Sequence, residues 1–297
     1  MSFVADEIRS QPEVWRRAAA MADGSSAVAA AMPAAGARAL VIGCGTSAFV
    51  AQSMAWLREL AGLGDTDWAF ASELPPLRRY DHLIAVSRSG RTTEVMQALD
   101  AVPATTSTAI TAEPDSPVAA RCDHVVDLSF ADELSVVQTR FPASLLVLWR
   151  AVTGDRIDRA LDDCTHALAE PIGLDLGRYD HFVFLGRGWT IGLAHEAALK
   201  MRESAQAWSE SHPALDYRHG PISAAHEGSL IVSLGGVDAD LLDDARVTGA
   251  TVLDPDLDPL ARLVVCQRLA VSAGEARGLD VDHPRHLTRS VILEPGS

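Results

Sequence analysis

The chain contains few cysteines and lacks long apolar runs. Its 297 residues include four cysteines, which are scattered and form no C-x-x-C pair. This pattern excludes a zinc knuckle and a disulfide framework. No apolar run approaches the roughly 20 residues that cross a bilayer. The N-terminus carries acids and arginines early and has no apolar signal segment, so we expect a cytoplasmic protein without a membrane partner.

Positive charge is also scarce. The sequence holds 25 lysines and arginines against 40 aspartates and glutamates, a net charge of −15. Such a chain is poorly suited to bind a nucleic-acid backbone. Its overall field repels anions as well. Any phosphate site must therefore be built locally, from backbone N–H groups, hydroxyls and a few arginines.

What the sequence does contain is an alternation of short apolar strands with helical stretches. This rhythm predicts an α/β fold whose parallel sheets are covered by helices on both faces. After a helical stretch at about 143–169 the rhythm begins again. "LVIGCGTS" parallels "VFLGRGWT", with Gly186 standing 143 residues after Gly43, and "LIAVSRSG" parallels "SLIVSLGG". The matching order predicts a duplicated α/β unit.

The first glycine motif, "GCGTS", spans Gly43 to Ser47. A dinucleotide fingerprint needs a third glycine, but Ala48 stands there, so we expect no nucleotide cofactor. Thr46 and Ser47 suit either helix capping or phosphate binding. A zinc pattern is missing too, because the segment "HEAAL" has Leu199 where H-E-x-x-H requires a second histidine. We expect no bound metal.

A second loop, "SRSGRTTE", follows an apolar strand. Three hydroxyls, Ser87, Ser89 and Thr92, alternate with Arg88 and Arg91. A surface turn, a helix cap and an anion site each use residues of these types. Turn chemistry explains one or two of them, and the loop alone leaves the choice open.

Two further motifs carry groups that transfer protons. In "HEAALKMRE", Glu196, Lys200 and Glu203 are spaced four and three apart and share a helix face. They form either an exposed ion pair or an acid–base cluster. In "YRHGP", His219 precedes a Gly-Pro turn and is either an ordinary loop histidine or a proton carrier. The chain ends in "DVDHPRHLTRSVILE", whose apolar residues predict a docked tail.

Taken in order, these segments resemble the sugar isomerase (SIS) family with two tandem domains. The likeness is to the isomerase domain of glucosamine-6-phosphate synthase and to stand-alone amino-sugar-phosphate deaminases and deglycases, and it runs from "EIRSQPE" to "DHPRHLTRSV". It implies two flavodoxin-like α/β sandwiches. The expected regions are a helical segment at 1–25, a phosphate-binding SIS domain at 26–151, a helical linker at 152–169, a catalytic SIS domain at 170–280 and a tail at 281–297.

The resemblance also implies roles for individual residues. The phosphate-binding positions correspond to a set of loop residues: Thr46, Ser47, Ser87, Arg88, Ser89 and Thr92. Glu203 matches the base that moves a proton between C1 and C2, and Glu196 and Lys200 match its supporting ion pair. His219 matches the residue that opens the sugar ring and reaches across from a neighbouring subunit.

One tail position departs from the family. Arg289 stands where the synthase has a lysine. An arginine keeps its proton at any working pH and cannot form a Schiff base, so we expect electrostatic stabilisation of an enediolate instead.

The resemblance implies a homodimeric isomerase with shared active sites. Its substrate would be a phosphorylated sugar or amino sugar, and its reaction an aldose–ketose interconversion, with or without release of nitrogen. The isomerase pattern starts near residue 1, which favours the catabolic direction. The alternatives are a fructosamine-6-phosphate deglycase and a non-catalytic sugar-phosphate-binding regulator.

Overall fold

The computed structural model describes residues 2–24, 26–74 and 78–293. The chain divides into two compact units, and neither is continuous in sequence. We call them the five-strand unit and the four-strand unit, after their sheets. The five-strand unit comprises Glu13–Glu133, Arg140–Ile157 and a segment that begins at Thr288. The four-strand unit comprises the residues up to Pro12, Leu134–Thr139 and Asp158–Leu287.

Helices and strands alternate along much of the chain, as the sequence predicts. The helices are α1 Phe3–Arg9, α2 Gln11–Gly24, α3 Ser26–Ala31, α4 Thr46–Leu60, α5 Thr93–Ala101, α6 Arg140–Val152, α7 Asp158–Ala169, α8 Thr190–Ala205, α9 Ala239–Val247 and α10 Pro259–Ala276. The strands are β1 Ala39–Gly43, β2 Thr66–Phe70, β3 Tyr80–Val86, β4 Ala104–Thr111, β5 His124–Asp127, β6 His181–Gly186, β7 Trp208–Pro213, β8 Ser229–Ser233 and β9 Thr251–Leu253. Among the described residues, however, α1–α3, β2 and β3, and α6 and α7 follow one another directly. No helix in the described ranges is long and apolar enough to cross a membrane.

The five-strand sheet is parallel and has the order β2-β1-β3-β4-β5. Val41 of β1 pairs with Trp68 on one side and with Ile84 on the other. Every residue of β1 is buried, as is typical of a central strand with both faces covered. After β1 the chain continues to β2 at one edge of the sheet, and after β3 it continues to β4 in the opposite direction. A crevice is therefore expected at the carboxyl ends of β1 and β3. The loops "GCGTS" and "SRSGRTTE" begin there.

The four-strand sheet is also parallel, with the order β7-β6-β8-β9. Its strand order repeats that of the first four strands of the five-strand sheet. Each sheet uses a glycine where its first strand meets the following helix. A Cβ added at Gly43 would lie 2.6 Å from the Ser47 backbone, and one at Gly186 would lie 2.3 Å from the Thr190 carbonyl oxygen. Both helices therefore begin in close contact with the preceding strand.

The α/β prediction with parallel, helix-covered sheets is confirmed by these elements. The repeated strand order supports the predicted duplication, and the sequential domain boundaries stay predictions. Helix α8 lies against β6, β7 and α10, and so carries its charged residues into the interior of the four-strand unit.

Candidate functional site

The loop after β3 is compact and held by its own hydrogen bonds. Ser87, Ser89 and Arg88 are each at least 95% buried. The Gly90 amide donates to the Ser87 hydroxyl at 3.1 Å. Gly90 has a φ of +61°, and a Cβ there would lie 1.9 Å from the Ser116 hydroxyl. The position therefore demands glycine, for its backbone conformation and for space.

The hydroxyls of this loop gather where α5 begins. Thr92 is the N-cap residue of α5, yet its side chain makes no capping hydrogen bond. Instead its hydroxyl lies 3.5 Å from that of Ser87. The Ser89 hydroxyl accepts from the amide of Arg91 at 3.4 Å. Three hydroxyls beside a helix N-terminus suit an anion such as phosphate.

The two arginines of the loop have different surroundings. The Arg88 guanidinium is buried and its Nη1 lies 3.6 Å from Oε2 of Glu133, which is also buried. Arg91 is exposed. From the sequence alone, both arginines are expected to add local positive charge. The structure balances the charge of Arg88 with a carboxylate, so the net charge that Arg88 adds to the loop is small.

The "GCGTS" loop lies at the same edge of the sheet, because β1 and β3 are neighbours. Thr46 and Ser47 are both buried, and the Ser47 amide donates to the Cys44 carbonyl at 3.1 Å. Burial raises the pKa of the Cys44 thiol to about 11, so this thiol stays protonated at neutral pH. The two loops together form a candidate anion site within the five-strand unit.

The tail residue Arg289 is engaged with carboxylates. Its Nη2 donates to both carboxylate oxygens of Asp132, at 2.7 and 2.8 Å, and to Glu113 at 3.3 Å. Its Nη1 donates to the Glu133 carbonyl oxygen. The expected task, stabilising an enediolate, requires a cation that faces the substrate. The structure instead places this guanidinium in an acidic socket formed by Asp132 and Glu113.

The rest of the tail reaches the start of α5. The Thr93 amide donates to the Val291 carbonyl oxygen at 3.3 Å. The Leu293 amide donates to the Thr93 hydroxyl at 3.0 Å. The sequence predicts that apolar side chains dock the tail, but those of Leu287, Val291 and Ile292 are exposed. The contacts are instead polar, and the residues that receive the tail are Thr93, Asp132 and Glu113. Their only signal is composition, because hydroxyl and carboxylate side chains are common in loops.

In the four-strand unit, α8 carries a buried ion-pair cluster. Lys200 Nζ lies 3.5 Å from Glu196 Oε1 and donates to Glu203 Oε2. The side chains of Glu196 and Lys200 are 1% exposed, and that of Glu203 is 17% exposed. The alternative of a solvent-exposed Glu–Lys pair is therefore wrong. Charges buried to this extent require partners of opposite sign, and the cluster supplies them.

Glu203 also lines a cavity of about 390 Å³ within the four-strand unit. His219 ends a short 3₁₀ turn, Asp216–His219, and its side chain is exposed. Among the described residues, the lining of this cavity does not include His219. The structure therefore groups Glu196, Lys200 and Glu203 and leaves His219 at the surface of the same unit.

Across 2–24, 26–74 and 78–293, no group of three or more His, Cys, Asp and Glu side chains is placed to hold a metal ion. The prediction that the protein uses neither metal nor cofactor stays a prediction.

Residues 34–153 match the model of the SIS domain family. The match includes both hydroxyl loops, and the predicted SIS resemblance is confirmed for this region. The family match covers one region only, so a second SIS domain remains a proposal.

Only part of each curated relative matches this chain. A glutamine–fructose-6-phosphate aminotransferase (isomerizing) of Gloeobacter violaceus is 30% identical over 86% of this chain and 52% of its own length. The corresponding protein of Thermosynechococcus vestitus is 27% identical, over 86% and 51%. The chain thus spans about half the length of the curated relatives it matches.

Solved structures match nearly the whole chain. Glucosamine-6-phosphate deaminase from Thermotoga maritima superposes with a TM-score of 0.83 at 26% identity, covering 98% of this chain and all of that one. A tagatose-6-phosphate ketose/aldose isomerase from Escherichia coli superposes with a TM-score of 0.75 at 21% identity, covering 99% and 97%. The second likeness concerns the fold alone.

Proposed function

We propose that this protein is a sugar-phosphate isomerase that interconverts the aldose and ketose forms of a phosphorylated sugar or amino sugar. The observation that carries the proposal is the buried cluster on α8, in which Glu203 is paired with Lys200 and also lines a cavity. A carboxylate held by a buried cation and open to a cavity suits general base catalysis. The likeness to a glucosamine-6-phosphate deaminase supports an amino sugar, with nitrogen released after isomerisation.

The phosphate is assigned to the hydroxyl loops of the five-strand unit. Ser87, Ser89 and Thr92 supply hydroxyl donors, and Thr46 and Ser47 add others at the start of α4. Hydrogen bonds from neutral donors let an acidic chain bind an anion locally. Arg88 contributes chiefly by ordering the loop through its buried pairing with Glu133.

Glu203 is assigned the proton transfer. It removes the proton from one of C1 and C2 of the open-chain sugar and returns it to the other, through an enediol or enolamine. Lys200 orients the carboxylate through its hydrogen bond, and Glu196 holds the Lys200 ammonium through a second ion pair.

His219 is assigned ring opening, in the active site of a second copy of the chain. Its exposed position on the 3₁₀ turn makes it accessible to such a partner. A homodimer with shared active sites is part of this proposal.

Arg289 receives a different role from the one expected of its sequence position. Because its guanidinium is held by Asp132 and Glu113, we assign it to docking the tail against α5. Thr93, the residue that the tail contacts, directly follows Thr92 of the hydroxyl loop. Arg289 is thus a positioning residue for the phosphate site.

Deglycation of a fructosamine 6-phosphate is the second candidate reaction. It uses the same proton transfer, and Arg202 and Arg285, which line the cavity beside Glu203, suit a substrate that carries a second anionic group. A non-catalytic sugar-phosphate regulator would need the hydroxyl loops alone, and the buried cluster on α8 favours an enzyme over it.

Isotope exchange tests the isomerase proposal. The protein is incubated in D₂O with fructose 6-phosphate, glucose 6-phosphate and glucosamine 6-phosphate in turn, and deuterium at C1 and C2 is followed by NMR. We expect enzyme-dependent exchange with at least one of them. The absence of exchange with all three, while they still bind, would favour the regulator.

A further inference from the structure

The two sheets differ at one edge. They share the order of four strands, and the five-strand sheet adds β5, which pairs with β4 and precedes α6 in the chain. In the four-strand unit, only Asp254–Asp258 lies between β9 and α10. The helices α6 and α10 correspond, since α6 packs against α4 and α10 packs against α8. The position of a fifth strand beside β9 is therefore not filled by the described chain.

Strand β9 has one open edge. Among the described residues it pairs with β8 alone. Its residues, Thr251–Leu253, are uncharged and partly buried. An open edge presents unpaired backbone N–H and C=O groups, to which another extended segment can pair. Many natural edges are protected by a charged side chain or a proline within the strand. β9 has neither, and its short length is its only protection of this kind.

A groove of about 470 Å³ accompanies this edge, and we call it the β9 groove. Its lining comes from β9 and the loop after it, from the end of α7 and the residues that follow, and from α10, all within the four-strand unit. Val252 and Leu253 point to opposite faces of the sheet, so a groove that both line reaches around the sheet edge. Most of the lining is apolar, including Ile172, Val252, Leu253, Leu257, Val265 and Leu269.

The strand β5 shows which side chains suit such a position. Val126 of β5 is 2% exposed, whereas its neighbour Val125 is 38% exposed. The polar residues His124 and Asp127 stand at the two ends of the strand. This alternation is typical of a strand that packs one face on a core and leaves the other towards solvent.

The accessible charges of the β9 groove are mostly acidic. Four ionisable side chains of its lining are exposed, and all but the histidine are acids: His166, Glu170, Asp254 and Asp256. Asp256 is 98% exposed although it pairs with Arg159 at 2.6 Å. Arg268 is only partly exposed and donates to the carbonyl oxygens of Ala167 and Glu170 at the end of α7. The groove therefore favours a partner with positive charge at its ends.

We propose that the β9 groove binds an extended segment of another protein, which adds to β9 as a fifth strand. The segment carries apolar side chains at alternate positions, for the groove, and basic residues at its ends, for Glu170 and Asp256. Strand addition of this kind takes its affinity from backbone hydrogen bonds and its specificity from alternate side chains. A second copy of this chain is a poorer occupant, because its net charge is −15. The lining includes none of the residues assigned to the reaction, so this inference goes beyond the proposed function.

Synthetic peptides test the groove. The probe is a short labelled peptide in which valine and threonine alternate between a lysine at each end. One control peptide has two adjacent prolines at its centre, which remove a backbone donor from each edge of the strand. Another has glutamate in place of both lysines. We expect saturable binding of the probe, weakened at least about tenfold by the prolines and about threefold by the glutamates.

Protein variants locate the binding. Val265→Arg places a charge in the groove and should weaken the probe at least about tenfold. Val247→Arg is the matched control and should have no effect, because Val247 is 88% exposed on α9 and does not line the groove. Asp256→Asn should reduce the preference for lysine ends over glutamate ends. Asp243→Asn, which changes another exposed aspartate paired with an arginine, should leave that preference unchanged.

Hydrogen exchange on the wild-type protein tests the proposal without any variant. The probe should slow exchange of the β9 amides that point away from β8 at least about tenfold, and the proline peptide should not. Equal binding of the probe and the proline peptide, or β9 amides left unprotected by saturating probe, would overturn strand addition. So would the lack of saturable binding up to about 1 mM probe. A concentration-dependent dimer that Val265→Arg dissociates would make a second copy the occupant and the proposed partner wrong.

Discussion

The guanidinium of Arg289 and the carboxylate of Asp132 form a bifurcated ion pair, in which the single nitrogen Nη2 lies 2.7 and 2.8 Å from the two oxygens. The side chains are 33% and 34% exposed. The pair fixes the tail two residues before Val291, whose carbonyl oxygen accepts from Thr93. It thereby links the end of the chain to the helix that begins at the hydroxyl loop.

Breaking this pair should weaken substrate binding more than it slows the chemistry. We expect Arg289→Ala and Asp132→Asn each to raise KM about three- to tenfold, since a partly exposed pair contributes about 1 kcal/mol, with kcat changed less than twofold. Steady-state kinetics measure the split. The double variant should be no worse than either single one, because both remove the same contact. A fall in kcat at constant KM for Arg289→Ala would instead support its role in stabilising an enediolate.

Removing hydroxyls from the loop should lower affinity for the phosphate. Ser89→Ala and Thr92→Val each delete a donor to a charged oxygen, and each should cost about 1.5–3 kcal/mol of binding free energy. Calorimetric titration with fructose 6-phosphate measures the loss. Thr105→Val is the matched control, because Thr105 is exposed at the opposite end of β4. Equal affinity for fructose and fructose 6-phosphate would contradict the assignment.

Glu203→Gln should separate chemistry from binding. Glutamine preserves the size of the side chain but cannot accept a proton, so we expect deuterium exchange to slow by a factor of about 10² to 10⁴. Sugar-phosphate affinity should change little. The exposed Glu227→Gln in the same unit serves as the control. Exchange at the wild-type rate in the Glu203 variant would leave this carboxylate with a structural role only.

The buried pair on α8 should be needed for stability. Lys200→Met removes the cation between two carboxylates, and breaking a buried pair from one side costs about 3–5 kcal/mol. We expect a lower midpoint in urea unfolding for Lys200→Met. Adding Glu196→Gln should recover part of the loss, because it removes one of the carboxylates left behind. A double variant that is less stable by the sum of both changes would argue against direct coupling.

Acid should destabilise the five-strand unit through His82. Burial on β3 lowers the pKa of this histidine from 6.5 to about 4, and its Nε2 lies 2.8 Å from the Thr108 hydroxyl. The unfolded chain binds a proton near pH 6.5 that the folded chain excludes until about pH 4. Stability from this group is therefore complete above pH 6.5 and falls as pH decreases towards 4. Urea unfolding at pH 7 and pH 5 should show a larger difference for wild type than for His82→Gln.

The local sequence pattern was sufficient to predict much of the fold. The short apolar runs that end in glycine loops became parallel strands, since a strand buried on both faces must be apolar throughout. The spacing of Glu196, Lys200 and Glu203 placed them on one helix face, because an α-helix brings residues three and four apart together. The order of all the motifs along the chain also carried the family resemblance, which is confirmed for residues 34–153.

Burial and long-range partners were decided by tertiary structure. The sequence of the α8 motif is equally consistent with a surface ion pair and with a buried cluster. Only the packing of α8 against β6, β7 and α10 buries it. The partner of Arg289 is 157 residues away in sequence, and that of Arg88 is Glu133. No local pattern encodes such pairs, because a charge is drawn to whichever opposite charge the fold brings within a few ångströms.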